Sequence, residues 1–337
     1  MASIDRTRGL APIVIPNTAV DGQRQTTKAE NNKRTERYLL RVTGQVDITA
    51  AGGALRNRGS ILAALSDLGY IDGGTDKSVC DARLARFVSE VLAGGNLPAT
   101  RLQGPGIQVA TQLSETLSIF LASARSLNPN ETKYVEPNKQ LDQQVFVTPV
   151  RQITRLASAG AGLVGTITNL TVNVEQVYDD LLGVKPFYTI FGRQLSQDVT
   201  GVNPQLKVDL KGSRYVRGLA IQQDTDQGEV QDIINALVLR GDAGSVIGDR
   251  SVNFADLVQH MSDEYSGAVQ GTGGYLFIDF QRYARIASWW NPYQDTNLRL
   301  ELDVQPSGGG NTGSKVRVFM WEYERTGATD PQPKVVP

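Results

Sequence analysis

The sequence predicts an all-β chain folded as two antiparallel sandwiches of some eight strands each, a double jelly roll with a few short helices in its loops. Three observations predict it. The first is the alternation of apolar and polar residues in Leu298-Arg299-Leu300-Glu301-Leu302-Asp303-Val304, followed by the strand-like Val316-Arg317-Val318-Phe319-Met320-Trp321-Glu322-Tyr323. Successive strand side chains point to opposite faces, so each run reads as a strand with one buried and one wet face. Residues 306–314 between them are rich in glycine, and the pair is expected to be antiparallel neighbours joined by that loop. The second observation is the 34 glycines in 337 residues, above the usual ~7% and suited to many tight turns. The third is a repeated order of strand, strand, helix, strand in the two halves, at an offset of roughly 170 to 180 residues.

Taken in order, residues 1–36 lack sustained periodicity apart from Ile13-Val14-Ile15, and contain Pro12 and Pro16. They read as an extended N-terminal arm. Its basic side chains (Arg6, Arg8, Arg24, Lys28, Lys33 and Arg34) outnumber Asp5, Asp21, Glu30 and Glu36. Such an arm either stays disordered or orders on a neighbour or an anionic surface. A strand is expected from Tyr38 to Ile48, another over residues 61–68, and a glycine turn at Gly73-Gly74. Helical spacing of Leu84, Phe87, Val88, Val91 and Leu92 predicts a helix over residues 79–92, stopped by Gly94-Gly95. Strands follow around Thr116-Leu121, Val145-Val147 and residues 166–178. Gly183-Val184-Lys185-Pro186 marks the boundary between halves. Arg214-Leu219 then matches Arg37-Val42, residues 232–237 match 60–65, and a helix around residues 252–265 matches the one at 79–92. The expected organisation is an arm (1–36), a first sandwich (37–182), a second (183–326) and a tail (327–337). One large β-rich domain is the alternative.

Composition narrows the function classes. With 34 basic and 35 acidic residues the net charge is −1, which argues against specific nucleic-acid binding, since that requires a basic surface. Cys80 is the single cysteine, so no intrachain disulfide is available. No stretch has the ~18 apolar residues of a membrane span, and the first residues lack a signal peptide's apolar core, so synthesis in a cytoplasm is expected. His260 is the single histidine. Imidazole-rich metal centres and Ser-His-Asp triads are therefore disfavoured, and His260 reads as an ordinary residue on a helix surface. No catalytic residue, cofactor or resident metal is expected.

The chain resembles the double jelly-roll major capsid proteins of tailless, internal-membrane double-stranded DNA bacteriophages, nearer the compact corticovirus-like type. The resemblance rests on Arg37 to Ile48 with the following Asn57-Arg58-Gly59-Ser60, on Arg214 to Asp224, on Gly273 to Phe280 and on Asn297 to Val304. It spans most of residues 37–324. What it implies is a non-enzymatic coat protein, located in the virion and made in the host cytoplasm. Its partners would be two further copies in a pseudo-hexameric trimer, neighbouring capsomers, vertex (penton) and minor capsid proteins, and an internal lipid membrane. In that setting Arg6, Arg8, Arg24 and Lys28 would face anionic headgroups.

Weaker signals in the chain have plainer explanations. Gly160-Ala161-Gly162-Leu163-Val164-Gly165 has the dinucleotide-binding glycine spacing, but a β-branched run follows where that motif needs a helix. Asp224-Thr225-Asp226-Gln227-Gly228-Glu229 holds part of a calcium loop, with Asp224, Asp226 and Glu229 as candidate ligands; a polar turn explains it as well. Trp289, Trp290 and Tyr293 are candidate subunit-interface anchors, because paired aromatics bury large areas. Asn130-Glu131-Thr132 and Asn169-Leu170-Thr171 are glycosylation triplets without a secretory context. A carbohydrate-binding or carbohydrate-cleaving β-sandwich is the rival function, with Asp279, Asp295, Glu301 and Asp303 as available carboxylates. A spike or receptor-binding component is a third, although it needs no duplication.

Overall fold

The computed structural model of the protein describes residues 6–30, 34–50, 59–93, 97–103, 106–120, 143–157, 163–179, 188–210, 214–224, 233–242, 244–253, 255–259, 274–279, 297–305 and 314–325. The chain divides into two compact units, Met1–Ile190 and Phe191–Pro337. The boundary expected at 182/183 and the tail at 327–337 lie outside the described residues.

The first unit opens with β1 (Arg6–Gly9), β2 (Ile13–Val14) and β3 (Gln25–Lys28). There follow β4 (Arg34–Ala50), β5 (Leu65–Asp72), β6 (Thr75–Cys80), α1 (Ala82–Ala93), β7 (Ala99–Thr100), β8 (Gln108–Phe120), β9 (Gln144–Pro149) and β10 (Val164–Asp179). One sheet has the order β1-β10-β4-β8-β7, with β2 also on β10; the other strands are ordered β6-β5-β9-β3. The pairings are antiparallel. β4 is the spine: Tyr38, Leu40, Val42, Val46 and Ile48 are buried while Arg41 and Thr49 are exposed, the period-two pattern of a half-wet strand. Tyr38 meets Tyr70 of β5 with ring centroids 6.2 Å apart, so the two layers close on each other here. Between β5 and β6, Asp72 pairs Thr75 across Gly73 and Gly74, with φ of 57° and 76°. A two-residue turn of this hand matches strand twist and needs residues that accept positive φ.

α1 starts where Asp81 accepts hydrogen bonds from the Arg83 backbone N–H through its side chain (2.9 Å) and from the Ala85 N–H through its carbonyl (2.9 Å). That is an N-cap, and it sets the start three residues later than the spacing suggested, because Ser78 to Cys80 pair with β5 instead. A second correction concerns the strand expected over 61–68. Ile61–Ala64 is a short 3-10 turn, with the Ser60 hydroxyl accepting from the Leu62 N–H, and the strand begins at Leu65. An apolar run buried on every side carries no period to separate turn from strand.

In the second unit β11 (Tyr188–Val199), β12 (Asn203–Asp209), β13 (Tyr215–Asp224), β14 (Ile234–Gly241), β15 (Gly244–Asn253), β16 (Tyr275–Asp279), β17 (Arg299–Val304) and β18 (Ser314–Arg325) make two groups. Their orders are β16-β13-β18-β11 and β12-β17-β14-β15. Both strands predicted from the C-terminal alternation exist, but they are not partners. β17 pairs β12 and β14, whereas β18 pairs β13. Residues 306–313 thus link strands of different sheets, which alternation cannot reveal because each strand needs only one buried face. Of the helix expected over 252–265, residues 255–259 are helical; its start is later than expected, since Val252 and Asn253 end β15, and residues from His260 to 265 lie outside the described residues.

Candidate functional site

The segment expected as an arm is woven into the first unit from residue 6 onward. β1 and β2 add to β10 in one layer and β3 adds to β9 in the other, so residues 6–30 strap both layers. Ile13 and Ile15 are its buried anchors, and the Thr27 hydroxyl donates to the Ala11 carbonyl at 2.7 Å. Arg24 makes two 2.8 Å bonds to the Asp76 carboxylate and lies 4.1 Å over the Phe146 ring. Arg151 reaches back to Asp21 at 3.3 Å and to the Pro16 and Ala19 carbonyls. Lys28 sits on β3 opposite Gln144. Arg6 and Arg8 lie on β1, whose four residues are all exposed, and Arg8 pairs Glu30 at 2.8 Å.

Buried ion pairs hold the loops around α1. The Glu115 carboxylate is fully buried on β8; one oxygen sits 2.9 Å from Arg101 and 3.9 Å from Arg86. Arg86, itself buried, also bonds Glu90 at 2.6 Å and the Leu97 and Thr116 carbonyls. In the second unit Glu322 is approached by Arg193 at 2.9 Å and Arg214 at 3.5 Å. Asp224, the first of the three candidate calcium ligands, is buried, takes a 2.7 Å bond from Gln222 and pairs with Arg317. A cation there would have to displace that guanidinium. Asp226 and Glu229 lie outside the described residues, among which no group of three metal-ligating side chains occurs.

Asp72 stands apart, since it is 7% exposed and its Oδ1 has no hydrogen-bond partner. Burial pushes its carboxyl above the usual range, partly offset by Lys77, and Asp72 in turn helps hold the buried Tyr38 and Tyr70 phenols un-ionised. A folded-state pKa above the unfolded one means that ionised Asp72 costs stability, fully so above the folded pKa and not at all below the unfolded one. Asp72→Asn is expected to raise the melting temperature at pH 7. The gain should shrink as pH falls through the folded-state pKa, and it is gone below the unfolded value of 3.8.

The outer face of the six-stranded sheet carries Arg41, Thr43, Gln45, Asp47 and Thr49 of β4 and their neighbours on β8 and β10. Gln45 Oε1 accepts from Gln112 and Asn169, both at 3.2 Å, and Gln45 Nε2 donates to Asp47 at 3.2 Å. Asp47 also receives the Ala110 N–H at 2.6 Å. Ala110 and Asn169 have φ of 48° and 52°. Asn169 sits in a register shift of β10, where its N–H donates to Asn17 at 3.3 Å. At the end where β8 and β10 begin, Ile107, Val109 and Val164 are 65%, 79% and 58% exposed.

Of the carboxylates available to a glycosidase, Glu301 is bound by Arg240 at 2.6 Å and Arg299 at 2.9 Å. The Arg240 hydrogen bond holds its carboxyl below the ordinary range, opposite to what a catalytic acid needs. Asp303 lies on the same wet strand; Asp295, Trp289, Trp290 and Tyr293 lie outside the described residues. The buried arginines, Asp72 and the strap were not singled out from sequence. In sequence Arg83 and Arg86 sit off the apolar face of α1 and read as its wet side; the structure buries that side as well, which no local pattern signals.

No family model matches the sequence, and no curated protein does. Solved structures do match. The crystal structure of the STIV (Sulfolobus turreted icosahedral virus) major capsid protein aligns with a TM-score of 0.70 at 12% identity, over 96% of this chain and 97% of that one. The PBCV-1 virus capsid protein gives 0.60 at 10% identity, over 96% and 94%. Major capsid protein P2 from bacteriophage PM2 gives 0.52 at 11% identity, over 97% and 99%. Across nearly its whole length, and with two strand-paired units of the expected kind, this chain has the double jelly-roll fold.

Proposed function

We propose that the chain is a viral major capsid protein, which self-assembles as pseudo-hexameric trimers into an icosahedral shell over an internal membrane. The observation that carries this reading is the mutual coverage: solved capsid proteins align over nearly all of both chains. The role is structural rather than enzymatic. Three copies, each with two β-units, give the six lobes of a hexagonal outline. Vertex and minor capsid proteins complete the partners, and the chain, made in the host cytoplasm, ends in the virion. Among the described residues no helix is long and apolar enough to cross a membrane, so contact with lipid would be peripheral. β1 supports such contact, because Arg6 and Arg8 are exposed on a strand with no buried side chain. Arg8 shares its charge with Glu30, and Arg24 contributes less still, being held by two bonds to Asp76 and by the Phe146 ring.

The test is the assembled mass of the purified protein by light scattering, with negative-stain images of the same peak. Expected is a particle near three times 36.6 kDa with a hexagonal outline, or closed shells. A monomer at every concentration, with hydrolysis or binding on a glycan array, would move the function to carbohydrate recognition. For the membrane, Arg6→Gln/Arg8→Gln should weaken flotation with anionic vesicles while leaving the fold intact. Deleting residues 2–30 is not an equivalent test, since it removes strands from both layers of the first unit.

A further inference from the structure

We infer that the charge-poor half of the outer face of the six-stranded sheet in the first unit, around residues 43–49 of β4, is a contact wall between copies of this chain. The inference rests on the self-assembly reading and adds to it the surface that would be used. Two exposed stretches of sheet among the described residues differ in character, and the charge-poor one ends where the same face of the first unit reaches exposed Arg41 of β4 and Glu175 of β10. In the second unit the face of β12, β17 and β14 carries Lys207, Asp209, Arg240, Arg299, Glu301 and Asp303, and its arginines and Glu301 pair with one another. Such a mosaic is a solvated surface. In the first unit, residues 43–49 of β4 turn outward only Thr43, Gln45, Asp47 and Thr49. The facing β10 positions are Thr166, Thr168 and Thr171, and those on β8 include Gln112 and Ser114.

Charge decides between solvent and a second copy. About a fifth of all residues are charged, yet on this stretch Asp47 stands alone on β4, and its oxygens are already bonded within the face by Gln45 and Ala110. Two such surfaces can approach while desolvating a single β4 carboxylate per copy, whose oxygens keep their amide hydrogen bonds, so the costly part of association is small. Depletion of Lys, Glu and Asp is also what distinguishes the middle of an interface from the rest of a surface. Threonine is stiff at χ1, so little side-chain freedom is lost when it is covered. The amide ladder through Gln45, Gln112 and Asn169 is already ordered. Ile107, Val109 and Val164 add exposed apolar area at the end of the same sheet. The net charge of −1 leaves no long-range repulsion between copies.

The experiment compares wild type with Thr166→Glu/Gln112→Glu by mass photometry across a concentration series, with circular dichroism melting of each. Both positions are exposed, so the fold should persist. The concentration needed for assembly should rise about 100-fold, the consequence of placing unpaired carboxylates in a contact. Val109→Glu/Val164→Glu, which leaves the hydrogen-bonded ladder untouched, should act in the same direction and serves if the first variant does not fold. Lys207→Gln on the charged face should change assembly less than threefold. Assembly of both wall variants at the wild-type concentration overturns the inference while sparing the capsid reading. A wild-type chain that remains monomeric overturns both.

Discussion

Gly69→Ala should prevent the first unit from folding. Gly69 lies on β5 between β6 and β9, opposite Val79 and Phe146. A Cβ built on it lands against the Ser78 carbonyl, closer than real Cβ atoms approach backbone, and 3.0 Å from Phe146 Cε1. Neither neighbour can yield cheaply, because the Ser78 backbone belongs to the β6 ladder and Phe146 is fully buried. The expected loss exceeds about 4 kcal/mol, the range in which a single change is exceptional. It would be read as a lost or strongly lowered thermal transition and insoluble expression. Gly73→Ala is the matched comparison. Its site is open space, so only the positive φ is penalised, about 1 kcal/mol. Equal stability losses for the two would show that the close approach at Gly69 relaxes freely.

Glu115→Ala should cost about 3 to 5 kcal/mol, the usual result of removing one partner from a buried pair and leaving the other charge in place. Arg86 would keep Glu90 and two carbonyls but lose its second anion, and Arg101 would lose its 2.9 Å contact. The urea midpoint measures the loss. Arg101 is only partly exposed and stays partly stranded without Glu115, so Glu115→Gln/Arg101→Gln should recover part of it. No recovery in the double variant would mean that Arg101 is not coupled to Glu115, and that the cluster is Arg86 alone against two carboxylates.

What could be read from the chain depended on whether the determining pattern was local. β17 shows the alternation of its sequence directly, with every apolar residue buried and every polar one half-exposed. The apolar face of α1 was equally legible. β1, β2 and β3 were not, since two to four residues carry no period and their partners are on β9 and β10. The partners of β17 and β18 were misassigned for a related reason. Alternation gives the buried face of a strand, while the choice of neighbour depends on residues far away. The same holds for the charged cluster, in which Arg86 and Glu115 are brought together by the packing of α1 on β8. Asp72, next to the expected Gly73-Gly74 turn, gave no signal either, because its raised carboxyl comes from burial, which packing and not local pattern decides.

The strap also sets a clock. Arg6 pairs Tyr178 and Gln25 pairs Val147, so the first strands made must wait for roughly 170 further residues before the last of their partners leaves the ribosome. At ordinary elongation speeds that is on the order of 10 to 30 s. Through that interval a nascent chain lacks β10, the strand that joins β1 and β2 to β4, and the outer face described above does not exist. Copies growing side by side on one message therefore have no finished surface to offer each other until each first unit is complete. Synthesis order alone separates folding from assembly in time.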